Sequence, residues 1–232
     1  MGYLIALGAF FAIYLFIYLR MDTMKNIKLF NFLFFLFVYI PYLWLVVIVY
    51  LDVGFDDWNF RNTLPTANVS PFMFSIAPFA LIFPKRINKY LRMLIALLCV
   101  GMFFSSVVSC IYYYSINYKF HPHFLLDFTA HFALSLWGIY LVKTRQVELN
   151  RKDCLIGGGI IVAVATIMLT LNVIFDTAFF GLSLNGKHSI YNNVIVENSY
   201  LSALLYYFGL IFVLFLGFVL HNTAHNNRKK IS

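Results

Sequence analysis

Seven stretches of this chain approach the length of apolar residue run, about 20, that a helix needs to cross a bilayer. They are Tyr3–Leu19, Leu29–Leu51, Ala67–Phe83, Leu91–Ile116, Phe124–Val142, Cys154–Phe175 and Tyr200–Leu220. No soluble fold could hide that much Phe, Leu, Ile and Tyr. The chain is 62% hydrophobic and 11% charged, where a soluble domain is closer to half and a quarter. The sequence therefore predicts an all-α fold: a polytopic membrane helical bundle of about seven transmembrane helices, forming a single domain over residues 1–232. The third stretch is the weakest candidate, being short and holding Pro71 and Pro78. A helix there should be kinked, because proline lacks a backbone donor and crowds the preceding turn.

The loops set an orientation. Arg20, Lys25 and Lys28 follow the first stretch; Lys85, Arg86, Lys89 and Arg92 follow the third; Lys143, Arg145, Arg151 and Lys152 follow the fifth; Arg228, Lys229 and Lys230 come last. Of the 17 basic residues only Arg61, Lys119 and Lys187 fall in the alternate loops. By the positive-inside rule the N-terminus is outside and the C-terminus cytoplasmic. The formal charge of +8 is then a topology signal, and no nucleic-acid partner is needed to explain it. The first stretch has neither a basic leader nor a small-residue cleavage site, and reads as a retained helix. Cys99 and Cys110 lie in the fourth apolar stretch and Cys154 in the sixth, without metal-ligand spacing, which suits packing better than a disulfide. Richness in Phe, Tyr, Ile, Asn and Lys suggests an AT-rich genome, that of a low-GC bacterium.

Within this frame the fifth stretch stands out, because it carries Asp127 and His131 one helical turn apart. His131 lies about eight residues, or roughly 12 Å, from the outer end of its helix. Ser75 on the third stretch and Asn172 on the sixth come to a similar level, with Ser109, Cys110 and Asp176 also in the outer half. An ionisable side chain inside a membrane is costly and normally faces the bundle interior or a wet cavity. On the functional reading, Asp127 orients His131 as a general base toward a hydroxyl, thiol or water. On the plainer reading, Asp127 is an interfacial acid favoured by the helix dipole and His131 a satisfied interhelical hydrogen-bonder.

Other polar groups suggest less. His121 and His123 flank a proline in a spacing that is no standard zinc signature, and Asp56 and Asp57 read as a solvated pair. His188 and Glu197 belong to the long last outer loop. Gly157–Gly159 suits close helix packing. Neither a metal nor a cofactor is implied.

The succession "NTLPTANVSPFMFSIAPFALIF", "FHPHFLLDFTAHFALSLWGIYLV", "LNVIFDTAFFGL" and a last helix resembles the YwaF-like integral membrane proteins of Gram-positive bacteria. That family is distantly similar to eukaryotic transmembrane acyltransferases, and more loosely to androgen-induced membrane hydrolases. The resemblance spans the second to seventh stretches. It implies a histidine at His131, an asparagine at Asn172 and polar company at Asp176. Where the family commonly reads Leu-Pro-x-His-x-Cys, this chain has Pro71 but Met73 for the histidine and Ser75 for the cysteine. The implied activity is a lipid acyltransferase or hydrolase with His131 as base, Ser75 as nucleophile, and Asp127 or Asn172 orienting or stabilising charge; Cys110 is a relocated alternative. The partner is then a membrane lipid or amphiphile. A non-catalytic transporter, substrate-binding subunit or accessory protein using the same polar pocket is the competing expectation, and the oligomeric state is left open.

Overall fold

Proline 78 divides the third apolar stretch. In the computed structural model, helix ends on one side of it and restarts on the other, as expected where a residue can neither donate a backbone bond nor clear the preceding turn. The structure describes residues 2–54, 64, 69–82, 85–115, 123–147, 149, 151–175, 205 and 207–219. Its helices are α1 (Gly2–Arg20), a 3-10 turn (Met21–Thr23), α2 (Ile27–Val53), α3 (Val69–Ile76), α4 (Phe79–Ile82), α5 (Lys85–Ser115), α6 (His123–Lys143) and α7 (Arg151–Phe175), followed by α8 (Tyr207–Val219). Pro71 lies in the first turn of α3, where its missing N–H costs nothing. Of the two prolines, then, only Pro78 interrupts the helix.

Over their described residues the seven apolar stretches are helical, apart from the turn at Ala77–Pro78, and no strand occurs among the described residues. Among the described residues five helices are long and apolar enough to cross a membrane: Gly2–Thr23, Ile27–Asp52, Lys89–Val108, Phe124–Lys143 and Leu155–Ile174. The third and seventh stretches are shorter within the described residues, as Val69–Leu81 and Tyr207–Val219. Large apolar side chains stand exposed on the periphery, among them Ile5, Phe16, Leu51, Leu155 and Ile174. That surface suits lipid and would be a liability in water. The chain is a multi-pass membrane protein.

At the α1–α2 joint, Asn26 caps α2 by accepting from the Leu29 N–H at 3.1 Å, satisfying one of the donors every helix start leaves open. At the other end Gly54 adopts φ +77° and bonds back to the Tyr50 carbonyl at 2.8 Å, a conformation glycine enters without a Cβ penalty.

The centre of the bundle is α6. It packs against α1, α2, α3 and α5, and every residue from Ala130 to Gly138 is buried. Trp137, Tyr140 and Leu134 fill its core together with Phe34, Phe74, Met93 and Leu97. Glycine sets the closest approach. A Cβ on Gly138 would stand 2.5 Å from Cys99 Cβ and 2.6 Å from the Ile95 carbonyl, so α5 and α6 meet nearly backbone to backbone, as small residues permit in membranes. In the glycine triplet, Gly157 serves this purpose against Leu97 and Met93, whereas Gly159 faces open space.

Candidate functional site

Because α6 is enclosed, its polar side chains must find partners inside the protein. His131 is 5% exposed. Its Nδ1 lies 2.9 Å from the backbone carbonyl of Asp127 and 3.3 Å from that residue's carboxylate, the arrangement an i,i+4 pair on one helical face produces. A carbonyl oxygen can only accept, so Nδ1 carries the proton. In the neutral ring Nε2 is then the lone-pair nitrogen, free to take a hydrogen bond or a proton. No hydrogen bond to Nε2 exists among the described residues. Phe74 of α3 packs against the imidazole, ring centroids 4.8 Å apart and nearly perpendicular. Asp127 is less buried than its partner, its side chain 29% exposed, and links the histidine to the end of the bundle away from the basic loops.

Ser75, expected at a similar level on the third stretch, is not bonded to this pair. Successive helical residues are turned by about 100°. Phe74 points at His131, so Ser75 is directed elsewhere, toward α2. Its hydroxyl donates to the Pro71 carbonyl at 2.8 Å, the usual back-bond of a helical serine, and lies 3.2 Å from the Tyr42 hydroxyl. Tyr42 in turn packs on Phe74 with centroids 5.5 Å apart. Phe74 therefore separates a serine–tyrosine pair from a histidine–aspartate pair. Met73 is fully buried in the core.

Asn172 is buried on α7, a helix that packs on α5, and it makes no hydrogen bond to His131. Cys110 is buried among Tyr3, Ala6, Phe128 and Phe132 and lies within electrostatic reach of Asp127. Reactive thiolates are found beside cations, so a carboxylate neighbour favours the packing role. His121, His188, Glu197, Asp56, Asp57 and Asp176 lie outside the described residues, as do the side chains of His123 and Ser109. Among the described residues no group of three metal-ligating side chains comes together.

Sequence reasoning missed a second polar assembly at the basic end of the bundle. The Trp137 indole donates to Asn31 Oδ1 at 2.9 Å, and Asn31 Nδ2 donates to Gln146 Oε1 at 2.6 Å. The same oxygen accepts from Arg92 Nη1 at 3.1 Å, while Gln146 Nε2 donates to Thr144 Oγ1 at 2.7 Å. Nearby, Tyr140 donates to the Met24 carbonyl, and Lys143 lies 3.4 Å from Asp22. A lone asparagine in the apolar run "IKLFNFLFFLF" was the available signal. Nothing in the loop marked Gln146. A smaller pair, Tyr14 and Ser135 at 3.0 Å, ties α1 to α6. No family model, curated protein or solved structure matches this chain.

Proposed function

We propose that this protein is a membrane-embedded lipid hydrolase or acyltransferase in which His131 is the general base. The observation that carries the reading is a buried imidazole whose Nδ1 is held by Asp127 and whose Nε2 has no hydrogen-bond partner among the described residues. Buried polar atoms are rarely left unpaired, and exceptions call for a ligand, water or a chemical role. An acceptor nitrogen in an apolar, aromatic surrounding suits a molecule that brings one hydroxyl into an otherwise greasy place.

In the proposed step, Nε2 takes the proton of a water or of a substrate hydroxyl, whose oxygen attacks the carbonyl carbon of a lipid ester. The ester C–O bond then breaks, and the imidazolium returns the proton to the departing alkoxide. Asp127 stabilises the imidazolium in between, as a carboxylate does when it orients a catalytic histidine. The direction of the Ser75 hydroxyl favours an external nucleophile over that side chain. The proposed membrane orientation puts the basic end in the cytoplasm and admits substrate from the outer leaflet of a bacterial plasma membrane. The likeness to the YwaF-like proteins is part of the same proposal.

A second reading, that the pair holds an amphiphile or proton without chemistry, is favoured by the absence of an aligned nucleophile among the described residues. Purified protein in lipid nanodiscs, supplied with a fluorescent acyl lipid, distinguishes the two. Release or transfer of the acyl chain that disappears in His131→Gln, falls in Asp127→Asn and survives in Ser75→Ala supports the enzyme. Saturable binding without turnover, lost in His131→Gln, supports the second reading. Equal behaviour of wild type and His131→Gln in both assays overturns both.

A further inference from the structure

We propose that Arg92 at the basic end of the bundle is a built receptor for a phosphate-type oxyanion, the kind carried by an anionic phospholipid headgroup. This site is separate from His131 and goes beyond the activity proposed for it. Arg92 is partly buried on α5. Its Nη1 donates to Gln146 Oε1 at 3.1 Å, and its Nε points at the Ala80 carbonyl at 3.4 Å. Both acceptors are neutral. Among the described residues the ion pairs are Asp127 with His131 and Asp22 with Lys143, so no described carboxylate compensates this guanidinium. A cation drawn into a bundle edge without an anion is costly.

The guanidinium is also held in one pose from within. Trp137 fixes Asn31, Asn31 fixes Gln146, and Gln146 fixes Arg92. Gln146 reaches inward because α6 ends in a reversal: the Gln146 N–H bonds the Leu141 carbonyl and the Arg145 N–H bonds that of Val142. That pattern is the Schellman motif, which wants glycine at its left-handed position. Here Arg145 occupies it, at φ 55°. The backbone thus tolerates strain at the turn that turns Gln146 toward Arg92. With Nε and Nη1 engaged, Nη2 is left without a hydrogen bond among the described residues. A planar, pre-oriented fork of N–H groups matches tetrahedral oxyanions far better than a mobile ammonium does. Lys89 stands exposed one turn earlier on α5, and Lys28, Arg145, Arg151 and Lys152 make this whole end attractive to anionic headgroups.

The test uses the full chain carrying Trp44→Phe and Trp58→Phe, so that Trp137, the remaining tryptophan of three, reports on the network to which it is bonded. Short-chain phosphatidylglycerol, phosphatidylcholine and inorganic phosphate are titrated into detergent-solubilised protein, with Trp137 emission and thermal midpoint followed together. Phosphatidylglycerol is expected to give a saturable change in both. In Arg92→Lys the apparent affinity should weaken at least fivefold, and in Arg92→Gln the saturable phase should vanish. Lys28→Gln and Arg151→Gln should leave it within twofold. A saturable response to inorganic phosphate as well as to the lipid assigns the site to the free oxyanion as much as to the headgroup; a response to phosphatidylglycerol alone assigns it to lipid. The proposal is overturned if the Arg92→Lys curve superposes on wild type, or if Lys28→Gln weakens binding as much as Arg92→Lys does. It is equally overturned if Glu148→Gln or Asp153→Asn, with no anion added, lowers the thermal midpoint as far as Arg92→Gln does. That result would mean the guanidinium already has its anion within the chain.

Discussion

The two polar regions of this bundle solve the same problem in opposite ways. At the basic end, Trp137, Asn31 and Gln146 form a chain in which each inner donor and acceptor meets another side chain. In the opposite half, His131 is satisfied on one ring nitrogen and, among the described residues, open on the other. Completed buried networks specify one packing, whereas an incomplete one is expensive unless something else completes it. The first region is therefore architecture, with the proposed anion receptor at its edge, and the second is where the proposed function brings a foreign hydroxyl.

Substitutions should separate the two. The largest stability loss is expected for Trp137→Ala, which removes a fully buried indole and strands Asn31 Oδ1. Truncations of this kind cost about 3–5 kcal/mol, to be measured as a fall in thermal midpoint in detergent. Next comes Gly138→Ala. The new methyl would meet the Cys99 Cβ and the Ile95 carbonyl, and overpacking against a backbone costs about 1–3 kcal/mol. His131→Gln should move the midpoint much less than either, since it removes a half-satisfied ring, while abolishing acyl release or ligand binding. An equal loss of stability in His131→Gln and Trp137→Ala would erase the contrast between the regions.

Smaller effects refine it. Arg145→Gly relieves a left-handed residue, worth about 1 kcal/mol, and should raise the midpoint by a few degrees; a fall would mean that the arginine side chain contributes more than its backbone costs. Ser75→Ala removes the 3.2 Å contact with Tyr42 and should change stability by about 1 kcal/mol, with acyl turnover intact. Loss of turnover in that variant would restore the serine nucleophile that the resemblance implies.

The helical character of every apolar stretch was legible in composition and spacing, because a backbone in hydrocarbon must satisfy its own hydrogen bonds and a helix does so locally. The singularity of Asp127 and His131 was legible for the same reason: charge is scarce where desolvation is dear. Partner choice was not. Ser75 and His131 share a depth, yet the 100° step from Phe74 to Ser75 (about that of any helical residue) sends the hydroxyl to Tyr42 and leaves Phe74 against the imidazole. Likewise the effect of Pro71 and Pro78 depended on where helix ends fell, sparing the first and breaking at the second.

The sequence by itself determined that this chain enters a membrane, that it does so as helices, and that one of those helices carries an unusual ionisable pair. Those properties follow from local chemistry: apolar length, backbone self-satisfaction and the rarity of charge. Only the tertiary structure decided that Nδ1 of His131 is occupied while Nε2 has no hydrogen bond among the described residues, that Cys110 lies within electrostatic reach of Asp127, and that Asn31, Trp137, Gln146 and Arg92 meet across 115 positions of chain. Such meetings depend on how helices rotate and approach one another, which here is set by glycines such as Gly138 and by core side chains far apart in the chain.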